Sequence, residues 1–413
     1  MVDLDLFERL PPVSVGCAFS TFRVRITNGL TGDLLRIRFS NQYGNKPLTL
    51  GEVSIAISVP GSADIVPGTS TPVTFGGTPG VTLGNGETRN SDPVAMAVKA
   101  GEELSVSYYV PRRTRLNTVS LFGGYTYAMT GKHTTAAKPR LPIPMFLDNA
   151  LQLCPFLVGV DVYSDGYAIV LFGDSITMCH LPDIFARRIR NTGVENVSVI
   201  NMGITANRLL SLSEKTRTAS IFGDAALDRF ARDVLELPGA RYVSIKIGLN
   251  DLAHPYLKSL QGMAQQVAAA QVIDGNRQLA AASEAAGIAV VFAPYTGTKG
   301  YVRDLWGTGN DDLEWTEELQ EKITALNTYY DIYNAANGVT VDLSGMNSPD
   351  DPYRLDPKYT KDGCHFNILG QETAAGLLPL AAFGVTGTET GEAKNIESPS
   401  AWNRLLARLR KRG

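Results

Sequence analysis

Between Thr21 and Val162 apolar and polar positions alternate in short runs. Phe22-Arg23-Val24-Arg25-Ile26 and Leu35-Arg36-Ile37-Arg38-Phe39 put every second side chain on one apolar face, the period of strands with one face buried and the other in water. Asn28-Gly29 between them is a turn signal, so the two runs are expected to pair as a hairpin. Val53-Ser54-Ile55-Ala56-Ile57, Val94 to Val98 and Leu104 to Val110 repeat the alternation. Clusters such as Gly76-Gly77-Thr78-Pro79-Gly80 and Gly84-Asn85-Gly86 separate them. Many short strands without a helical pattern predict an all-β sandwich or jelly roll.

After Ser164-Asp165-Gly166 the pattern changes. Strand-like runs (Ala168 to Phe172, Ser198 to Asn201, Tyr242 to Ile247, Ala289 to Ala293, Val339 to Leu343) alternate with helical ones at Ile184 to Asn191, Leu227 to Leu235, Val267 to Ala286 and Thr316 to Ala336. That order predicts an α/β fold, a three-layer, doubly wound, mostly parallel sheet with helices on both faces. Thr296 to Asp312, rich in glycine and aromatic residues, is long for a connection and is either a candidate wall or lid of a site or an ordinary surface loop. Thr386 to Ser400 has the composition of a linker. The basic segment from Ala401 to Arg412 puts Trp402, Leu405, Leu406 and Leu409 on one helical face, expected to pack on its own or a sister subunit. The expected organisation is therefore a β-sandwich over 1–165, an α/β domain over 166–385, and a linker with an amphipathic helix over 386–413.

Composition narrows the class. A chain of 413 residues exceeds the size of one hydrophobic core. With 38 basic and 41 acidic residues the net charge is -3, which argues against a protein built to hold nucleic-acid phosphates. No apolar run approaches the ~20 residues of a membrane span, and the acidic N-terminus is unlike a secretory signal, so a cytoplasmic location is expected. The cysteines Cys17, Cys154, Cys179 and Cys364 lack the spacing of a structural zinc site or a disulfide framework, and neither metal nor cofactor is expected.

Ile169-Val170-Leu171-Phe172-Gly173-Asp174-Ser175 is an apolar run that breaks at a Gly-Asp pair and delivers a serine, either a nucleophile or the N-cap of the next helix. Three further blocks stand at or beyond predicted strand ends: Asn201 to Arg208, Gly248-Leu249-Asn250-Asp251 and Asp362-Gly363-Cys364-His365. Together the four blocks, over roughly residues 168 to 382, resemble the SGNH hydrolases, also called GDSL esterases, whose signature residues would be Ser175, Gly203, Asn250 and His365. Arg36 to Gly44, Pro47 to Gly51, Arg208-Leu209-Leu210 and Phe230 to Leu235 resemble a branch of that family with an N-terminal β-sandwich. The chain departs from the family pattern at Cys364 and Phe366, where leucine and proline are usual, and at Met178-Cys179.

The chemistry can also be argued from the residues. A serine hydroxyl needs a base, and of His133, His180, His254 and His365 only the last has a carboxylate three residues upstream, Asp362, to orient its ring. The N–H groups of Ser175 and Gly203 and the Asn250 amide are candidate donors to an oxyanion. Asp174 and Asp251 are expected to bond loop N–H groups, His180 is a candidate to border the substrate pocket, and Asn207 and Arg208 are candidates either to border it or, the preferred reading, to brace the loop. Cys179 and Cys364 are brought near each other if Ser175 meets His365, as buried thiols or as a disulfide. The expected activity is a serine esterase acting on short acyl esters, preferably acetyl groups of a carbohydrate, which the resemblance implies. A lipase or acyltransferase for longer chains, a metal-dependent phosphoesterase and an inert carbohydrate-binding protein are the alternatives.

Overall fold

The computed structural model describes residues 16–121, 124–145, 152–211, 222–253, 267–301 and 315–387. In the first half the alternating runs form β1 (Ser20–Thr27), β2 (Gly32–Ser40), β3 (Val53–Ile57), β4 (Val94–Val98), β5 (Glu103–Val110), β6 (Tyr125–Thr130) and β7 (Leu157–Val162). They divide between two antiparallel sheets. β1 lies between β5 and β6, with β3 on the far side of β5, whereas β2 pairs with β7, β4 and the short strand Thr88–Asn90. Phe22, Val24, Leu104 and Val106 from the first sheet share one core with Leu35, Ile37 and Phe39 from the second. This is the sandwich that the alternation predicts.

Two details differ from expectation. β1 and β2 are not a hairpin, because they belong to opposite sheets. Asn28 Oδ1 accepts the Leu30 N–H (3.2 Å) and its Nδ2 donates to Lys99 O (2.9 Å), so the turn carries the chain across the core. Gly29 serves close approach: a Cβ there would stand 2.6 Å from Ser198 Oγ. Facing strands of a sandwich and paired strands of a hairpin bury the same residues, so alternation alone does not separate them. Nor is the charged face of β1 in water. Arg23 is 0% exposed, and its guanidinium donates to Ser107 Oγ (2.8 Å), Ala63 O (2.7 Å) and Ala136 O (2.9 Å), because the chain around residues 133–136 folds over that face.

In the second half β8 (Tyr167–Gly173), β9 (Val197–Gly203), β10 (Ala240–Lys246) and β11 (Ala289–Phe292) form a parallel sheet in the order β9-β8-β10-β11. β8 is buried from Ala168 to Gly173 on both faces, which is why it reads as a continuous apolar run. Around the sheet lie α1 (Ser175–Met178), α2 (Leu181–Arg190), α3 (Ala226–Phe230), α4 (Leu249–Ala253), α5 (Ala269–Ala285), α6 (Glu317–Ala336) and α7 (Ile368–Leu377). α2 packs with α7, and α5 with α6 and α3. The run Val339 to Leu343 forms no strand; Val341 and Leu343 bury their side chains without joining the ladder. The chain leaves β8 toward β9 on one side of the sheet and leaves β10 toward β11 on the other, so the strand order reverses between β8 and β10 and their C-terminal ends open the crevice in which doubly wound sheets bind ligands. Ser175 and Asn250 stand in the first turns of the helices that follow these two strands, α1 and α4.

The amphipathic segment 401–412, most of the linker, His254 and residues 302–312 lie outside the described residues. Among the described residues no helix is long and apolar enough to cross a membrane.

Candidate active site

The end of β8 positions Ser175 through its neighbour. Asp174, not Ser175, is the N-cap of α1: its Oδ1 accepts the Ile176 N–H (3.0 Å), leaving Ser175 as the first helical residue with its hydroxyl uncommitted to the cap. Asp174 Oδ2 accepts the Tyr295 hydroxyl (2.9 Å), which lies 3.4 Å from the Leu249 N–H and so ties this loop to α4. Lys246, buried at the end of β10, holds its ammonium 4.5 Å over the Tyr295 ring and donates to Pro294 O. Burial lowers the Lys246 pKa to about 8 against the pull of Asp174, and burial raises the Asp174 carboxyl in turn.

The loop before α7 brings the base to the serine. His365 Nε2 is 2.8 Å from Ser175 Oγ, and His365 Nδ1 is 2.6 Å from Asp362 Oδ2. The other oxygen of Asp362 accepts the N–H groups of Cys364 (2.9 Å) and His365 (2.8 Å), while Thr360 Oγ1 donates to His365 O (2.7 Å). Burial alone would raise the Asp362 carboxyl; the hydrogen bond and charge of His365 and the two N–H groups outweigh it and leave it lowered. The Tyr301 ring stands edge-on to the imidazole at 5.6 Å. Such a line can move a proton from the serine hydroxyl to the ring and hold the resulting imidazolium.

The opposite wall differs from expectation. Gly203 donates its N–H to Asn201 Oδ1 (3.0 Å) and does not line the cleft. Its missing side chain makes room for α1, since a Cβ would stand 2.4 Å from Met178 N. Ala206 takes the place at the cleft instead, in the left-handed region at φ 50°, and among the described residues neither its N–H nor that of Ser175 has an acceptor. The available signal was the second small residue of Gly203-Ile204-Thr205-Ala206, directly before Asn207. Asn250 lines the cleft as expected; one amide hydrogen goes to Asn207 O (3.0 Å), which fixes the amide plane and leaves the second N–H to the cleft.

The three pocket candidates do not line the cleft. Asn207 is a brace: its Nδ2 donates to Phe222 O (2.6 Å) and Asp224 O (2.8 Å), and its Oδ1 accepts from Arg229. Arg208 lies near the buried Asp251, whose carboxyl accepts the N–H groups of Leu209 (2.8 Å) and Leu210 (3.0 Å) and whose pKa burial raises to about 6. His180 precedes α2, beside Asp183. The cleft is walled instead by Ile176, Leu249, Ala253, Leu319, Tyr301 and Trp315. Thr298 and Tyr301 belong to the glycine- and aromatic-rich segment anticipated as a wall. All four cysteines are free thiols. Cys364 borders the cleft, but burial, reinforced by Asp362 and Asp174, pushes its thiol up, away from a nucleophilic thiolate. Among the described residues no group of three or more His, Cys, Asp or Glu side chains is arranged to hold a metal ion.

No curated protein matches the chain. Among solved structures, a GDSL-like lipase from Bacteroides thetaiotaomicron is 22% identical, covering 53% of this chain and 89% of its own, with a TM-score of 0.35. An inhibitor-bound aryl esterase of M. smegmatis is 16% identical over 54% of this chain and 100% of its own (TM-score 0.36). An acetyl xylan esterase is 16% identical over 51% and 96% (TM-score 0.33). The model of the GDSL-like lipase/acylhydrolase family matches residues 171–373, the stretch that holds Ser175, Ala206, Asn250, Asp362 and His365. The chain thus carries a hydrolase domain of the GDSL-like lipase/acylhydrolase family and is a carboxylic ester hydrolase.

Proposed function

We propose that the chain hydrolyses short acyl esters, acetyl groups of a carbohydrate above others, through an acyl-enzyme on Ser175. The observation that carries this reading is the unbroken line from Asp362 Oδ2 through His365 to Ser175 Oγ, with contacts of 2.6 and 2.8 Å. His365 Nε2 takes the proton as Ser175 Oγ attacks the carbonyl, then returns it to the leaving alcohol; a water repeats the sequence on the acyl-enzyme. The oxyanion is received by the N–H groups of Ser175 and Ala206 and the Asn250 amide, each such donor typically lowering the barrier by about 3 kcal/mol. Tyr301 and Trp315 supply aromatic surface at the cleft, suited to the apolar face of a sugar ring, and Thr298 and Thr205 supply hydroxyls. The acetyl and carbohydrate preference also follows the family resemblance.

Purified protein and its Ser175→Ala variant are compared on p-nitrophenyl acetate, with acetate to decanoate esters and acetylated xylan run alongside. Hydrolysis is expected only with Ser175, fastest on acetate. Turnover retained by Ser175→Ala removes the mechanism, and a preference for octanoate or longer replaces the acetyl reading with a lipase.

A further inference from the structure

The α/β half does not hold its active-site loops unaided. Met178, at the end of α1, and Ile204, directly after β9, are buried in the core of the β-sandwich, with Phe39, Leu48 and Val119, and not in the core of their own sheet. Apolar contact therefore anchors the segments after Ser175 and before Ala206 in the N-terminal half.

A polar chain runs in parallel. Tyr43 stands on a turn that the sandwich itself makes rigid: Gly44 N–H donates to Asn41 O (2.9 Å), Asn41 Nδ2 to Gly84 O (3.0 Å), and Tyr43 N–H to Thr118 Oγ1 (3.0 Å). The Tyr43 hydroxyl donates to Asp224 Oδ2 (2.8 Å), which also accepts from Arg232 Nη1 (3.0 Å). Arg232 Nε donates to Asp233 Oδ1 (2.8 Å), and Asp233 Oδ2 accepts from Arg229 Nη1 (3.0 Å). Arg232 and Asp233 lie on a π-helical turn, Ala231–Leu235, a local irregularity common at functional sites. Arg229 ends the chain: it donates to Gly173 O (3.1 Å), Met202 O (3.0 Å) and Asn207 Oδ1 (3.1 Å).

We propose that the β-sandwich positions the catalytic loops and that Tyr43 is a positioning residue of the esterase, acting through Asp224, Arg232, Asp233 and Arg229. Gly173 lies two residues before Ser175, and Asn207 directly follows Ala206. Slack in this chain moves the nucleophile and the oxyanion donors relative to each other, and displacements of about 1 Å cost up to 100-fold in rate. The sandwich is then part of the catalytic scaffold. The inference rests on the Ser175 reading above.

The test uses full-length protein and Tyr43→Phe, with Asp224→Asn as a second variant. Each is assayed on p-nitrophenyl acetate, and amide hydrogen exchange is followed over residues 201–209. Tyr43→Phe is expected to lower kcat roughly tenfold with KM within about twofold. Its Tm should stay within about 2 °C of the parent, and exchange over 201–209 should quicken; Asp224→Asn should do the same. Parental kcat together with parental exchange overturns the proposal. So does a kcat loss that tracks a lowered Tm and is recovered by assay at lower temperature. Exchange is read without turnover, so an inactive parent protein would refute the esterase reading while the loop measurement still decides the role of Tyr43.

Discussion

Arg23 in β1 and Arg229 in α3 are both fully buried, yet their surroundings differ. Among the described residues Arg23 hydrogen-bonds only to neutral oxygens, those of Ser107, Ala63, His133, Thr134 and Ala136, all within the sandwich. Burial lowers its pKa to about 10, with Asp64 pulling the other way. Arg229 has a carboxylate, Asp233, and lies 4.0 Å over the Phe172 ring; its other donors hold the carbonyls and the amide behind the cleft. One arginine closes loops over a sheet, and the other bridges the two loops of the proposed site. The same residue at the same burial thus braces loops within one half and the proposed site in the other, and only its acceptors tell the two apart.

Several substitutions sharpen or break this contrast. Asp362→Asn, in the half where the chemistry resides, should lower kcat/KM by roughly 10³–10⁴-fold with little change in Tm, because the ring loses the partner that sets its tautomer; steady-state kinetics beside calorimetry check it. Arg229→Met leaves the buried Asp233 with Arg232 alone and strips the donor from Gly173 O, Met202 O and Asn207 Oδ1, and a stability loss of about 2–3 kcal/mol by urea denaturation should accompany a fall in kcat of the folded protein. Arg23→Met leaves several carbonyls without a donor and should cost about 2–3 kcal/mol, with kcat per folded molecule unchanged. If Arg23→Met lowered kcat as Arg229→Met does, the contrast between the two halves would fail.

A smaller effect is expected at Lys246. Its pKa is about 8 in the folded chain against 10.5 when unfolded, so the unfolded state binds more protons between these values and stability rises with pH across that window. The complete rise is about 3 kcal/mol and is reached only above the unfolded value; roughly 2 kcal/mol of it falls within urea titrations at pH 7, 8, 9 and 10, and it should vanish in Lys246→Met. Smallest is Ala206→Gly, which relieves a left-handed alanine and should add about 1 kcal/mol with activity kept.

Much of the molecule can be read from its sequence. Ser175, Asp362 and His365 were identifiable because a buried strand ending in Gly-Asp-Ser and a histidine three residues after an aspartate are local patterns with chemical meaning. The change from period-two alternation to alternating strands and helices near residue 165 was legible for the same reason: burial imposes its period on the chain. What remained out of reach depended on residues far apart in sequence. Whether β1 and β2 pair or face each other, whether Arg23 meets water or carbonyls, and whether Gly203 or Ala206 stands at the cleft were each decided by a partner from elsewhere: Lys99, Ala136, and Met178 of α1. A side chain's period fixes which face it occupies, but hydrogen bonds saturate one donor at a time, and the element that arrives to accept them is chosen only when the whole chain has packed.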